Sequence, residues 1–115
     1  MPTSADVEAF LQEFHARMPV WDVIFRDDRE KHTITLVQLG ITRAQRKAVL
    51  LELTASDYSE GPIQDWDKGP DLWVFGKALK GADLYIKVTL GFTQSGDVIY
   101  ISFHAAEHPM KFPLR

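Results

Sequence analysis

The sequence predicts an α+β fold in which N-terminal helices pack on one face of a twisted antiparallel sheet. Two observations indicate this class. Apolar residues recur at helical spacing in the N-terminal half, and from Leu72 onward they alternate with period two, interrupted by Gly81 and Gly96 at turn positions. Helices followed by strands are typical of a layer fold in which the helices cover one sheet face.

Composition fits one domain over residues 1–115, because 45% hydrophobic and 25% charged residues are usual in globular chains. The chain has no cysteine, so a disulfide framework and a thiolate metal cluster are excluded. We expect a cytoplasmic protein without membrane contact, because no segment reads as a signal peptide or a membrane span. The net charge of −3 argues against a general nucleic-acid binder but allows a local basic site.

The first helix is predicted to begin at a Ser4 cap and to run to about Met18, where Pro19 stops it. Residues 21–25 are a short buried strand or a turn of helix, and the charged run FRDDREKH that follows predicts a surface loop. The apolar positions of the helix are Val7, Phe10, Leu11, Phe14 and Met18.

Two more helices are predicted before the sheet. Thr33 is placed to open a short one through Leu39 that ends at Gly40, and Thr42 with Gln45 forms a capping box for the next. This last helix runs to about Leu53. Its apolar positions are Ala44, Val49, Leu50 and Leu53.

A polar acidic loop is predicted next, followed by an antiparallel meander with strands at about 71–78, 83–92 and 97–104. The loop is bracketed by Gly61, Pro62, Gly69 and Pro70 and includes Asp65, Trp66 and Asp67.

The turn at Gly81 decides which side chains share a face. A strict two-residue turn would pair Val74 with Lys87 and mix charge into an apolar face. A type I turn with Gly81 in a left-handed bulge position pairs Val74 with Ile86 instead, so we expect the second arrangement. The apolar face against the helices is then Leu72, Val74, Leu84, Ile86, Val88, Leu90, Ile99, Ile101 and Phe103. The second face carries Trp73, Phe75, Lys77, Tyr85, Lys87, Thr89, Tyr100, Ser102 and His104.

This second face has two interpretations. It is either a solvated sheet surface, where lysine, threonine and aromatic side chains are normal, or a surface for single-stranded RNA. Bases stack on aromatic rings and phosphates pair with ammonium groups. His104 adds a side chain that can act as a general acid or base. A non-catalytic module that binds protein or nucleic acid would use the same face without that chemistry.

His104, Glu107 and His108 also form an H-x-x-E-H sequence, which matches an inverted zinc-protease motif. Those ligands must lie one turn apart on a helix, whereas His104 ends a strand pattern and Pro109 closes the segment. We therefore expect no metal site here.

Arg43, Arg46 and Lys47 cluster in the first turns of the third helix, where the helix dipole does not favour cations. The cluster is either a solvated face or a contact for an anionic partner.

Three segments, LTASDY, LWVFGKALKGADLYIKV and YISFHAAEHPMKFP, resemble a branch of the MqsR-family toxins of bacterial toxin–antitoxin pairs, most closely from about Leu51 onward. That family is similar in fold to the RelE-like ribonucleases, and its members cleave mRNA without a metal. The resemblance therefore implies an endoribonuclease without a cofactor. It also implies two partners, a cognate antitoxin protein and mRNA, with or without the ribosome.

The family's Tyr-x-Lys is matched by Tyr85 and Lys87. Its Ser-Phe-basic strand end is matched by Ser102, Phe103 and His104. Better-known members differ in having Lys at the position of His104, Gln at that of Val74 and a Lys near Glu60. The resemblance and the chemistry of RNA cleavage together imply His104 as general acid or base and Glu60 as a second proton-transfer group. They imply Lys87 and Lys77 as charge stabilisers. Tyr85 is expected to orient the phosphate or to stack a base. The residues expected to bind RNA are Trp73, Phe75, Tyr100, Ser102 and His108.

Overall fold

The structure, a computed structural model, describes residues 2–25, 36–64, 70–93 and 96–115. None of the helices in these ranges has the length and apolar character needed to cross a membrane. Residues 36–39 form a helical turn. The remaining elements are helix α1 (Ser4–Arg17), strand β1 (Asp22–Phe25), helix α2 (Arg43–Leu51), a 3-10 helix (Ala55–Asp57), and strands β2 (Tyr58–Ile63), β3 (Leu72–Leu79), β4 (Ala82–Thr93) and β5 (Gly96–Ala105).

The five strands form one mixed sheet in the order β1-β5-β4-β3-β2. The predicted meander of β3, β4 and β5 is confirmed, and so is the α+β class. The sheet was predicted to be antiparallel, and in this respect the prediction is wrong, because β1 pairs in parallel with β5. Residues 22–25 therefore form a strand at the edge of the sheet. The prediction that this strand is buried is wrong, because its side chains are exposed or only partly buried.

The N-cap of helix α1 lies one residue before the predicted one. Thr3, not Ser4, is the N-cap: its hydroxyl accepts a hydrogen bond from the Asp6 N–H at 3.2 Å, and the Asp6 carboxylate accepts one from the Thr3 N–H at 2.9 Å. This reciprocal capping box satisfies two N–H groups that the first helical turn leaves unpaired.

The capping box predicted for α2 is confirmed, with Thr42 and Gln45 exchanging side-chain and backbone hydrogen bonds. The helix ends at Leu51, two residues earlier than predicted, and Ala44 is exposed, so its place on the apolar face was wrong. Gly40 has φ +61, in the left-handed region that favours glycine after a helical turn. Thr33 and the run FRDDREKH lie outside the described residues, apart from Phe25.

The hydrophobic core lies between the helices and one face of the sheet. We call this face of the sheet the helix face and the opposite one the outer face. Alternation along β4 and β5 places their apolar side chains on the helix face, as predicted. The buried core residues from these elements are Val7, Leu11, Phe14, Val49, Leu50, Phe75, Leu84, Ile86, Val88, Ile99, Ile101 and Phe103.

The register of the first hairpin differs from the prediction by one residue. Lys80 and Gly81 both have positive φ, +53 and +80, so the strands are joined by a strict two-residue turn and not by a bulged one. Val74 accordingly lies opposite Lys87. A shift of one residue moves every β3 side chain to the other face of the sheet.

Two contacts remove the charge conflict that made this register look unfavourable. Lys77 lies opposite Leu84 on the helix face, but its ammonium reaches the margin of the sheet and pairs with Asp57 at 3.3 Å. Val74 lies on the outer face and is still only 1% exposed, because the C-terminal segment covers that part of the sheet. Leu72 also lies on the outer face, so the prediction that Leu72 and Val74 belong to the core against the helices is wrong.

The loop predicted from Gly61 onward begins later. Gly61 and Pro62 belong to β2, an edge strand, where proline is tolerated because one side of the strand needs no hydrogen-bond donor. Asp65, Trp66, Asp67 and Gly69 lie outside the described residues.

Candidate functional site

A cleft of about 630 Å³ opens on the outer face of the sheet. Its floor comes from β3, β4 and β5, one wall from β2, and the other wall from the segment that follows β5. The residues that line it are Ser59, Glu60, Val74, Tyr85, Lys87, His104, Glu107, His108, Pro109, Met110 and Lys111. Five predicted site residues therefore meet in one place: Glu60, Tyr85, Lys87, His104 and His108.

Tyr85 and His104 form the centre of the floor. They lie directly opposite each other on β4 and β5, and their rings stack with centroids 5.0 Å apart and planes 18° apart. The sequence placed both side chains on the same face of the sheet, and the structure confirms this. Stacking fixes the plane of the imidazole, which is useful for directional proton transfer.

The backbone also sets which nitrogen of His104 carries the proton. Nδ1 donates a hydrogen bond to the carbonyl oxygen of Ala105 at 2.8 Å, and a carbonyl can only accept. In the neutral ring the proton is therefore on Nδ1 and the lone pair on Nε2. This tautomer makes Nε2 the nitrogen that can take a proton from a substrate.

Lys87 lies two residues after Tyr85 on the same face and beside Val74 of β3. Its cross-strand neighbour on β5 is Ser102, which is buried. An ammonium group on a partly apolar floor is less screened by water than one on an exposed surface, so its attraction for an anion is stronger.

Glu60 reaches the cleft because β2 is irregular. Tyr58 pairs with Phe75 of β3 and Glu60 pairs with Val74, so the register shifts by one residue between them. Residues two apart on a regular strand share a face, whereas this shift lets Tyr58 pack in the core while Ser59 and Glu60 line the cleft. Glu60 therefore reaches the cleft from strand β2.

Tyr58 holds this irregular strand in position. Its hydroxyl donates a hydrogen bond to the carbonyl oxygen of Gly61. Burial raises the pKa of Tyr58 above its ordinary value, and the nearby Glu60 carboxylate raises it further. The phenol therefore stays a neutral hydrogen-bond donor and stabilises the strand that carries Glu60.

Three residues assigned to the site lie elsewhere. Trp73, Phe75 and Lys77 are on the helix face, because the hairpin register differs by one residue from the predicted one. Phe75 is fully buried in the core, and Trp73 stacks on Phe10 of α1 with ring centroids 4.7 Å apart. They share no surface with His104, so their predicted placement beside it is wrong.

Tyr100 and Ser102 lie on the outer face as predicted, opposite Thr89 and Lys87. Of the described residues, those that line the cleft do not include these two. Ser102 is 4% exposed and supports the floor from within the sheet.

The residues of the H-x-x-E-H sequence do not lie on a helix. His104 lies on β5, whereas Glu107 and His108 follow the end of that strand. Within the part of the chain that the structure describes, no group of three or more histidine and carboxylate side chains is arranged to hold a metal ion.

Sequence reasoning missed Val74 as a floor residue, and it missed Ser59, Glu107, Met110 and Lys111 in the walls of the cleft. A signal for the second wall was present: Met110, Phe112 and Leu114 alternate with Lys111, Pro113 and Arg115. Such alternation predicts an extended segment with one apolar side, and the structure shows the three apolar residues partly buried and their neighbours exposed.

The cations of α2 lie away from this cleft. Arg43, Arg46 and Lys47 line a separate cavity on the helix side together with apolar residues. The Arg46 guanidinium lies over the Phe25 ring, 3.5 Å from its centroid, and burial lowers the pKa of this arginine, with a smaller effect from Arg43. Arg46 therefore has a structural role in holding α2 against β1.

Comparisons of the chain with models of protein families, with curated proteins and with solved structures find no match.

Proposed function

We propose that the protein is a metal-independent endoribonuclease that cleaves mRNA in the cytoplasm as the toxin of a toxin–antitoxin pair. The observation that carries the proposal is the cleft that combines His104, Tyr85, Lys87, Glu60 and His108. The resemblance to MqsR-family toxins, and through them to RelE-like ribonucleases, adds the biological role. The helices on one sheet face and the site on the other are consistent with that expectation.

RNA cleavage of this type is an internal transfer at phosphorus. A base removes the proton of the 2′-hydroxyl as its oxygen bonds to the adjacent phosphorus, the bond from phosphorus to the 5′-oxygen breaks, and an acid protonates that oxygen. The products are a 2′,3′-cyclic phosphate and a 5′-hydroxyl. The cleft residues supply each group that this reaction needs.

In the proposed reaction, Nε2 of His104 exchanges a proton with the RNA, and Lys87 stabilises the charge that develops on the phosphate oxygens. Tyr85 orients the phosphate or stacks a base beside the imidazole. Glu60 and His108, from opposite walls, are the two groups that can complete the acid–base pair. Lys77 has no part in it, because its ammonium is paired with Asp57.

A non-catalytic binding module on the same surface is the alternative. It was based on four aromatic side chains sharing one face, and Trp73 and Phe75 are packed against α1 and the core instead. The remaining Tyr85 and Tyr100 give a smaller aromatic surface, which favours the catalytic proposal.

The experiment is induced expression of the wild type and of His104→Gln in a bacterial host, with growth and mRNA integrity followed together. We expect growth arrest and mRNA fragmentation in the wild type alone. With purified protein, turnover should fall by about two orders of magnitude or more in His104→Gln, because general acid–base catalysis contributes at least that much.

His15→Gln is the matched control. His15 is also half-buried, but its Nε2 donates a hydrogen bond to the Leu50 carbonyl oxygen at 2.8 Å, away from the cleft. Its turnover should stay near that of the wild type once folding is verified by circular dichroism. Intact mRNA with soluble wild-type protein, or a loss below tenfold in His104→Gln, would contradict the proposal.

A further inference from the structure

The segment after β5, residues 106–115, contributes His108 to the proposed reaction, but most of its cleft residues have no part in that reaction. We call it the tail. It leaves the sheet with one more backbone hydrogen bond, from the Ala106 N–H to the Asp83 carbonyl oxygen at 2.8 Å. It then crosses the outer face of the sheet above β3, and residues 107–111 form a wall of the cleft.

The middle of the tail is seated on Gly76. A Cβ on this residue would lie 2.8 Å from the Met110 sulfur and from the Phe112 ring, so only glycine allows the two side chains to approach the strand so closely. Lys111 lies between these two contacts. Its backbone is therefore fixed on both sides while its side chain lines the cleft.

The end of the tail is anchored at the margin of the sheet. Arg115 Nε donates a hydrogen bond to the Ser56 carbonyl oxygen at 3.2 Å, and its Nη2 lies 3.8 Å from Asp57 Oδ1. The same guanidinium covers the Phe112 ring at 3.7 Å from the centroid, and Leu114 packs against the core.

Asp57 is the residue to which the end of the tail is bound. It is 5% exposed, and its carboxylate pairs with Lys77 at 3.3 Å as well as with Arg115. A carboxylate this deeply buried requires cationic partners, so the contact that holds the tail is also the one that compensates the buried charge.

We propose that Lys111 forms a second phosphate-binding position, and that the anchored tail holds it across the cleft from Lys87. The ligand is a nucleic-acid strand that lies between sheet and tail and presents successive phosphates to the two lysines. Glu60 and Glu107 also line the cleft, so the anion must be held by direct ammonium contacts and not by overall positive charge. The inference rests on the proposed function and extends it to how the strand is bound.

The test is equilibrium binding of a short mixed-sequence single-stranded RNA with 2′-O-methyl riboses, which cannot be cleaved, measured over a series of salt concentrations. Lys111→Ala should bind about tenfold more weakly at low salt. The slope of log K against log salt should fall by about 0.7, because one fewer phosphate releases its counterions. Lys111→Arg should keep both values, and Lys47→Ala, a lysine on α2, should change neither.

The anchor is tested with Arg115→Ala, whose side chain is half exposed and can be removed without opening the core. We expect KM for a cleavable RNA to rise severalfold with kcat within about twofold, because Arg115 positions the binding wall and does not touch the reacting atoms. Asp57→Asn should act in the same direction if it folds. A kcat that falls together with kcat/KM would overturn the positioning role.

The two proposals fail in different ways. If His104→Gln abolishes cleavage while Lys111→Ala leaves both affinity and salt slope unchanged, the second phosphate position is wrong and the ribonuclease proposal stands. If the wild type neither binds nor cleaves RNA, both are wrong.

Discussion

Gly76 is the residue that allows the tail to pack directly on the outer face of the sheet. Replacing it with alanine would put a methyl group 2.8 Å from Met110 and Phe112, whose side chains would have to move. Gly76→Ala should therefore lower the free energy of unfolding by about 1–3 kcal/mol, as is usual for overpacking. Urea unfolding followed by tryptophan fluorescence measures this loss.

Gly91→Ala is the control for this substitution. A Cβ there would lie 3.3 Å from the Tyr100 ring, a tight contact that a small ring movement relieves. Gly91→Ala should therefore lower the free energy of unfolding clearly less than Gly76→Ala does. Equal losses at the two positions would mean that the tail is not seated on Gly76 as described.

At the scale of single residues, the sequence correctly placed those site residues whose face depends only on the alternation along one strand. Tyr85, Lys87 and His104 lie on β4 and β5, and their hairpin register follows from the strand pattern. The placement of Trp73 and Phe75 depended on the turn at Gly81, where the two-residue turn was rejected because it pairs Val74 with Lys87 and mixes charge into an apolar face. A one-residue error there was sufficient to place both aromatics on the wrong face.

At the scale of elements, α1 is stabilised by its capping box, and this gives a prediction about pH. The backbone N–H of Thr3 and, to a smaller extent, its hydroxyl hold the pKa of Asp6 below its ordinary value. The contribution to stability is therefore present above the unfolded-state pKa and is lost as pH falls through the folded-state pKa.

Asp6→Asn should consequently lower Tm at neutral pH, where the wild type has the charged cap. The difference between the two proteins should shrink as the pH is lowered through the acidic range. Thermal unfolding at neutral pH and near pH 3 measures the difference in Tm between the two proteins at each pH. A difference that grows toward low pH would contradict the capping role of Asp6.

Elements whose signals are local were predicted well. The α2 capping box and the three meander strands follow from residues within a few positions of one another. The parallel pairing of β1 with β5 was not predicted, because no local pattern in residues 22–25 specifies a partner strand far along the chain. Strand β2 was not predicted, because Gly61 and Pro62 within it are turn residues in most contexts.

At the scale of the whole molecule, stability should be highest in the centre of the sheet. Strands β4 and β5 have neighbours on both sides, whereas β1 and β2 are the edges. Hydrogen exchange should therefore be slowest for the amides of residues 84–90 and 98–103 and faster in β1 and β2, because edge strands open locally at lower cost. Exchange in β1 as slow as in β5 would contradict this order.

The position of β1 also has a consequence for synthesis. The first strand to leave the ribosome pairs with the last one, so the sheet cannot close until residues 98–101 have been translated. Contacts between such distant segments form late and slowly in folding. In an mRNA-cleaving enzyme, this topology would delay assembly of the site, since His104 itself lies on β5.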